Sequence, residues 1–248
     1  MLRFVFAFLI LLPFINYTIL AKEKKQIASF SAEEAYCKGE KLFQKKKYRA
    51  AAEQFFNIFI QSLGSDIATK SEFMHGYSLY LAGEYAEAFD ILERFIRLHP
   101  MYYKIADVYY LKASAKYKQA YYQQDLDQLA RAKSELQQVI DKFPESDYVA
   151  KVQEKINVLS KNLASIQMDI GKFYLARKNP IAALNRFNTV IDQYSHTSYY
   201  PEAIYRMAQS YALLECKTEI EEQLAILNSK FPDNIWSKRA KLAFKAIW

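Results

Sequence analysis

Three histidines, His75, His99 and His196, supply all the imidazole in the chain, and no two stand at a spacing that puts their nitrogens on one metal ion. The acidic pairs Glu33–Glu34 and Glu221–Glu222 are adjacent in sequence. On a helix, neighbours point about 100° apart, so neither pair forms a facing acid–base dyad. No glycine-rich phosphate loop, serine nucleophile elbow or HExxH motif is present. Cys37 and Cys216 are too sparse for a disulfide framework and read as two free thiols. This inventory points away from catalysis, metals and cofactors and toward a chain that works by binding.

Aromatic side chains carry that binding chemistry. Phe, Tyr and Trp make up 16% of the sequence, with 20 tyrosines. Tyr36 and Phe43, then Phe73, Tyr77 and Tyr80, then Tyr110 and Tyr117 fall at steps of three, four or seven, the spacing of one helix face. Such a face accepts an extended apolar peptide with aromatic anchors. Arg94 and Arg97 stand nearby in sequence, where guanidinium groups can take a peptide carboxylate. The competing reading is that these rings only pack helix on helix. Further along, Arg177, Lys178, Arg186 and Arg206, with Lys217, can dock a folded acidic partner, or are ordinary surface cations. The formal charge is +7, scattered apart from Lys45, Lys46 and Lys47. A nucleic-acid interface concentrates its cations in a stripe, which is missing here. The excess suits an acidic protein or an anionic membrane surface.

The elements that position these residues repeat. Ala51, Ala88, Ala132, Ala183 and Ile220 anchor five segments, followed four residues later by Phe55, Leu92, Leu136, Phe187 and Leu224, and seven later by Ile58, Phe95, Val139, Val190 and Leu227. That is one apolar face of a helix. Twelve residues after the anchor stand Leu63, Pro100, Pro144, Ser195 and Pro232, and proline ends a helix. Twelve before it, in four segments, stand Gly39, Gly76, Gly171 and Ala208, small enough for a preceding helix to approach closely. In the third segment Ala113 fits better than Ala120, which leaves extra residues in a turn around Tyr121 to Gln128. The anchors are 37, 44, 51 and 37 residues apart, against a tetratricopeptide period of about 34. The excess lies in the connections, except between Tyr148 and Asp169, where it reads as helix.

The expected fold is therefore all-α, a tetratricopeptide-repeat solenoid of five helical hairpins over residues 31–64, 68–101, 105–145, 147–196 and 199–233. A helix from Ile235 to Trp248 caps the end, with Trp236, Leu242, Phe244 and Ile247 covering the fifth hairpin. In this plan the groove positions are Tyr36, Glu40 and Phe43, then Phe73, Tyr77 and Tyr80, then Tyr110, Ser114 and Tyr117. Those of the last two hairpins are Met168, Lys172 and Leu175, then Tyr205, Gln209 and Ala212. Seven of the first nine are aromatic and one of the last six, so residues 31–145 are expected to carry a peptide groove and residues 146–248 a docking surface.

Before the repeats, Arg3 precedes an apolar stretch from Phe4 to Ala21, followed by Lys22, Glu23, Lys24 and Lys25. This is the plan of a secretory signal cut after Ala21, or of an uncleaved anchor, with residues 22–30 as linker.

Three stretches resemble the BamD family of outer-membrane assembly lipoproteins: RFIRLHP over Arg94–Pro100, ARAKSELQQVIDKFPESDY over Ala130–Tyr148, and Leu163 to Trp236 with FYLARKNPIAALNRFNTVID, PEAIYRMAQSYALLE and KFPDNIW. The resemblance implies a periplasmic subunit of the β-barrel assembly machine at the outer membrane. Its C-terminal hairpins would hold the periplasmic domains of the barrel insertase, and its N-terminal hairpins would receive the aromatic-ended signal of unfolded outer-membrane proteins. Family members are anchored by a lipid-modified Cys after the signal, and Lys22 stands at that position. A tetratricopeptide adaptor of envelope maintenance or pilus assembly is the alternative, against which the insertion lengths and RFIRLHP speak.

Overall fold

The computed structural model describes residues 31–245, and every regular element among them is helical. The leader, the cut after Ala21, Lys22, the linker and Ile247 lie outside the described residues. Helix α1 covers residues 31–44, followed by α2 (Tyr48–Gln61), α3 (Asp66–Ala82), α4 (Tyr85–Leu98), α5 (Ile105–Gln123) and α6 (Leu126–Lys142). Then come α7 (Val149–Ala176), α8 (Pro180–Gln193), α9 (Tyr200–Leu213), α10 (Lys217–Lys230) and α11 (Ile235–Ala243). They form two compact units, the first ending at Lys118 and the second beginning at Gln119. This division falls inside α5, whereas the functional boundary expected from the repeats is at 145/146.

In the first unit α1 and α2 pair antiparallel. Phe43 faces Tyr48 at the turn, and Tyr36 faces Phe55 further down, with ring centroids 5.5 and 5.2 Å apart. Gly39 explains the closeness. A Cβ there would lie 2.7 Å from the Phe55 ring. Gly76 does the same for α3 on α4, where a Cβ would meet the Leu92 side chain at 3.0 Å. In the second unit Gly171 of α7 lies directly on the Phe187 ring of α8. In these three hairpins the small residue thus meets the large one four positions after the anchor. All five anchors, and the residues four and seven positions after them, are buried. Burying each large side chain contributes about 1.5–3 kcal/mol, so these rows hold the hairpins together.

Helix ends follow local chemistry. Ser65 Oγ, Asp125 and Asn179 side chains accept N–H bonds from Ala68, Gln128 and Ala182. Gly83 ends α3 at φ +87°, a left-handed conformation that glycine adopts without strain. Pro180 opens α8, where its missing N–H is no loss.

Two expectations are corrected. The extra residues around Tyr121–Gln128 are helical rather than a long turn: α5 runs to Gln123 and α6 starts at Leu126. Ala113 and Ala120 are both fully buried, two turns apart on α5, so both small positions pack. In the cap, Trp236 and Phe244 pack on the core formed by Ala208, Leu224 and Leu227, but Leu242 is exposed to solvent, on the far side of α11 from Ala240. The long helix expected from Tyr148 is α7, with 28 residues.

Candidate functional site

The first unit brings its aromatic residues together. Phe43 of α1 lies 5.2 Å from Tyr77 of α3, Tyr77 lies 6.1 Å from Phe73, and Phe73 lies 5.9 Å from Tyr102 before α5. Offset and tilted pairs at these distances attract beyond their burial. The rings of Tyr36, Phe43, Phe73, Tyr77, Tyr80, Tyr110 and Tyr117 are all half-buried, each with part of its surface in solvent. Glu40 is exposed, while Ser114 is buried beneath them. Burial pushes the Tyr36 phenol up to about 12, helped by Glu40 and Tyr103. Tyr80 is likewise raised by burial and by the neighbouring Tyr110, Tyr85 and Tyr77 phenols. These phenols therefore stay neutral at physiological pH and offer O–H donors beside apolar ring surface. Tyr102 was not among the expected site residues. It follows a proline in a connection, where helix periodicity gives no signal.

The arginines near this face divide. Glu72 of α3 is completely buried. Arg94 Nε donates to its Oε1 at 2.9 Å, with Nη2 in ion-pair contact at 2.9 Å from the same oxygen, and His99 Nε2 lies 3.3 Å from Oε2. The Arg94 guanidinium also covers the Phe59 ring of α2 at 5.5 Å. Glu72 takes one edge of the Arg94 guanidinium, because a buried carboxylate must be paired. Arg97 is exposed. The RFIRLHP segment is now legible as a clasp: Arg94 and His99 hold Glu72, and Phe95 stacks on Phe73, His99 and Tyr102. His75, one turn after Glu72, has Nδ1 2.9 Å from the Ala52 carbonyl oxygen, and burial lowers its pKa, so the neutral ring donates there.

In the second unit the expected groove positions line an open cleft of about 590 Å³, with Lys172, Leu175, Gln209 and Ala212 joined by Arg206 and Phe244. Met168 and Tyr205 are buried below it. The expected docking cations are not equivalent. Arg206 pairs with Glu202 at 3.3 Å, donates to Gln209 at 2.9 Å and lies against the Tyr205 and Trp236 rings. Arg186 donates to Gln167 at 3.3 Å and lines a shallow hollow with Tyr174, Asn185 and Thr189. Arg177 and Lys178 are exposed in the α7–α8 turn, Arg177 stacked 3.5 Å over the Phe173 ring and Lys178 at φ 57°. Among the described residues, no three His, Cys, Asp or Glu side chains gather as metal ligands, and no helix is long and apolar enough to cross a membrane.

Comparison with known proteins gives a consistent result. The YfiO family, described as an outer membrane lipoprotein, matches residues 29–242. The outer membrane protein assembly factor BamD of Rickettsia prowazekii (strain Madrid E) is 41% identical over 202 residues, covering 81% of this chain and 80% of that protein. The protein of the same name from Caulobacter vibrioides is 30% identical over 203 residues, covering 81% of this chain and 66% of that one. Among solved structures, the TPR2AB domain of yeast Sti1 in complex with pHSP90 is 16% identical with a TM-score of 0.46, covering 87% of this chain and 84% of that one.

Proposed function

The chain belongs to the YfiO family of outer membrane lipoproteins, and from that premise we propose that it is an outer-membrane protein assembly factor that works by binding and not by catalysis. On this reading it acts at the periplasmic side of the outer membrane, where it holds the barrel insertase and receives unfolded outer-membrane proteins. The observation that supports this most is the half-buried aromatic row from Phe43 through Tyr77 and Phe73 to Tyr102. Rings already held by their neighbours lose little entropy when a peptide covers them, which suits repeated capture of unfolded segments.

Replacing Tyr77 and Tyr80 by alanine should weaken binding of an aromatic-ended peptide from an outer-membrane protein by roughly tenfold or more, measured by fluorescence anisotropy. Tyr77→Phe should keep most of the affinity, because the ring remains. Unchanged affinity in the double alanine variant would remove the peptide-groove assignment.

The insertase is assigned to the second unit, at Arg177 and Lys178 rather than Arg206, whose guanidinium has Glu202 and Gln209 as partners. Reversing both charges, Arg177→Glu with Lys178→Glu, should lower insertase recovery in an affinity purification by about tenfold, with stability little changed because both residues are exposed. Full recovery would place the docking surface elsewhere. Crosslinking with mass spectrometry in native envelopes tests the assignment as a whole. Pilus or cell-wall partners in place of an insertase would favour the adaptor reading.

A further inference from the structure

The first unit is polarised from end to end. Helices α1 and α2 are antiparallel, as are α3 and α4, so the two turns within hairpins lie at one end and the connections between hairpins at the other. The first end is charged, with Lys45, Lys46, Lys47 and Arg49 exposed. At the other end, Ile60 lies in the last turn of α2 and Leu63 in the turn that follows it, Leu98 finishes α4, and Met101 and Tyr103 lie in the connection to α5. All five are exposed, Met101 by 93% and Tyr103 by 73%. Among the described residues of this unit, the large apolar side chains exposed in this way otherwise comprise only Phe56, one turn above Ile60.

The two helix ends are neighbours. Arg94 of α4 lies over Phe59 of α2; Leu98 follows one turn later on α4, and Leu63 lies four residues later in the turn that leaves α2. Lys70, Arg97 and Lys104 are exposed around them, against the exposed Asp66, and Lys104 Nζ lies 5.5 Å from the Tyr103 ring centroid. The chain also begins its first helix here: Tyr36, in the second turn of α1, interacts electrostatically with Tyr102 and Tyr103. The residues before α1 include the apolar run Phe4–Ala21.

We infer that the end of the first unit carrying Ile60, Leu63, Leu98, Met101 and Tyr103 is a membrane-contact face that rests in the headgroup layer of an anionic lipid bilayer. The composition fits that environment. Aliphatic side chains enter the acyl boundary, a tyrosine sits with its ring in and its hydroxyl out, and long cations reach back to phosphates. An apolar surface confined to loops and helix ends, ringed by cations and opposite the end that carries Lys45, Lys46, Lys47 and Arg49, matches a flat bilayer better than an extended peptide. The face also lies where the chain leads to its apolar run. The inference rests on the membrane-associated reading above, but not on which protein partners are held.

The test uses the full chain with Cys37→Ser and Cys216→Ser, so that a polarity-sensitive fluorophore can be placed on a single introduced thiol. With vesicles of phosphatidylcholine and phosphatidylglycerol, a probe at Met101→Cys should shift to the blue and be quenched by nitroxide-bearing lipids, while one at Lys46→Cys should do neither. A chain carrying Leu98→Asp and Met101→Asp, probed at Leu63→Cys, should melt like its parent and show roughly tenfold less lipid quenching. If the Met101 probe stays in water while the protein floats with vesicles, the face does not touch lipid and the inference is overturned. It falls equally if the aspartate pair leaves the quenching at Leu63→Cys unchanged. Insertase capture in the crosslinking experiment is read separately, so failure of either proposal is visible without the other.

Discussion

Arg94→Leu is expected to cost about 3–5 kcal/mol of stability, because it leaves the Glu72 carboxylate buried with only His99 beside it. In a chain of this size that lowers the melting temperature by about 10 °C. Losing the guanidinium over Phe59 adds a smaller increment of about 0.5–1 kcal/mol. The physical asymmetry gives the decisive control. Removing one partner strands a charge, whereas removing both leaves apolar side chains of similar size in an apolar site. Glu72→Leu combined with Arg94→Leu should therefore recover most of the loss in thermal or urea denaturation. If the double variant is as unstable as Arg94→Leu alone, packing of Arg94 rather than its charge carries the effect, and the clasp described for RFIRLHP is not an ionic one. A functional consequence follows as well. Glu72 and Phe73 are consecutive on α3, and Phe73 is part of the aromatic row, so loosening the clasp should weaken peptide capture together with stability.

That clasp was hidden in the sequence for a specific reason. Helix α3 lies between α2 and α4 and buries residues around most of its circumference, including Ser71, Glu72, His75 and Ser78. A helix covered on several sides has no clear polar face, so a buried glutamate there looks like any solvated one. The helices at the second position of each hairpin have one buried face only, and their anchors, with the residues four and seven places on, were readable directly. The small residues were readable because their effect is steric: Gly39, Gly76 and Gly171 each oppose the residue four places after the next anchor. Where the reading failed, a second rule competed. Choosing Ala113 over Ala120 as the small position put a turn around Tyr121 to Gln128, yet both alanines are buried on α5, and Asp125 caps the start of α6. Leu242 fits the apolar pattern of α11, but a terminal helix has a neighbour on one side only, so the pattern overstates what it buries. The aromatic row was legible as a helix face. Its continuation to Tyr102 was not, since that ring joins through a connection.

Gly171→Leu should destabilise the second unit severely, with an expected loss of about 3 kcal/mol. The Phe187 ring occupies the space where any side chain on residue 171 must go, and that ring is itself fully buried. Overpacking of this kind typically costs about 1–3 kcal/mol, and here the obstacle is a rigid ring rather than a flexible chain end. Leucine is the better helix former by almost 1 kcal/mol, which offsets only part of the clash. The cause is separable by a double-mutant cycle. Phe187→Ala alone should cost about 3–5 kcal/mol through the cavity it leaves. Placed together, the leucine enters that cavity, so the double variant should be more stable than the sum of the two losses predicts by at least about 1 kcal/mol. Strict additivity would mean that the two positions do not meet, and the pairing of the small residue with its hairpin partner would fall for this unit. The change also separates the two proposed activities. Gly171 and Phe187 belong to the second unit and the aromatic row to the first, so Gly171→Leu should abolish insertase recovery while peptide binding by the first unit persists.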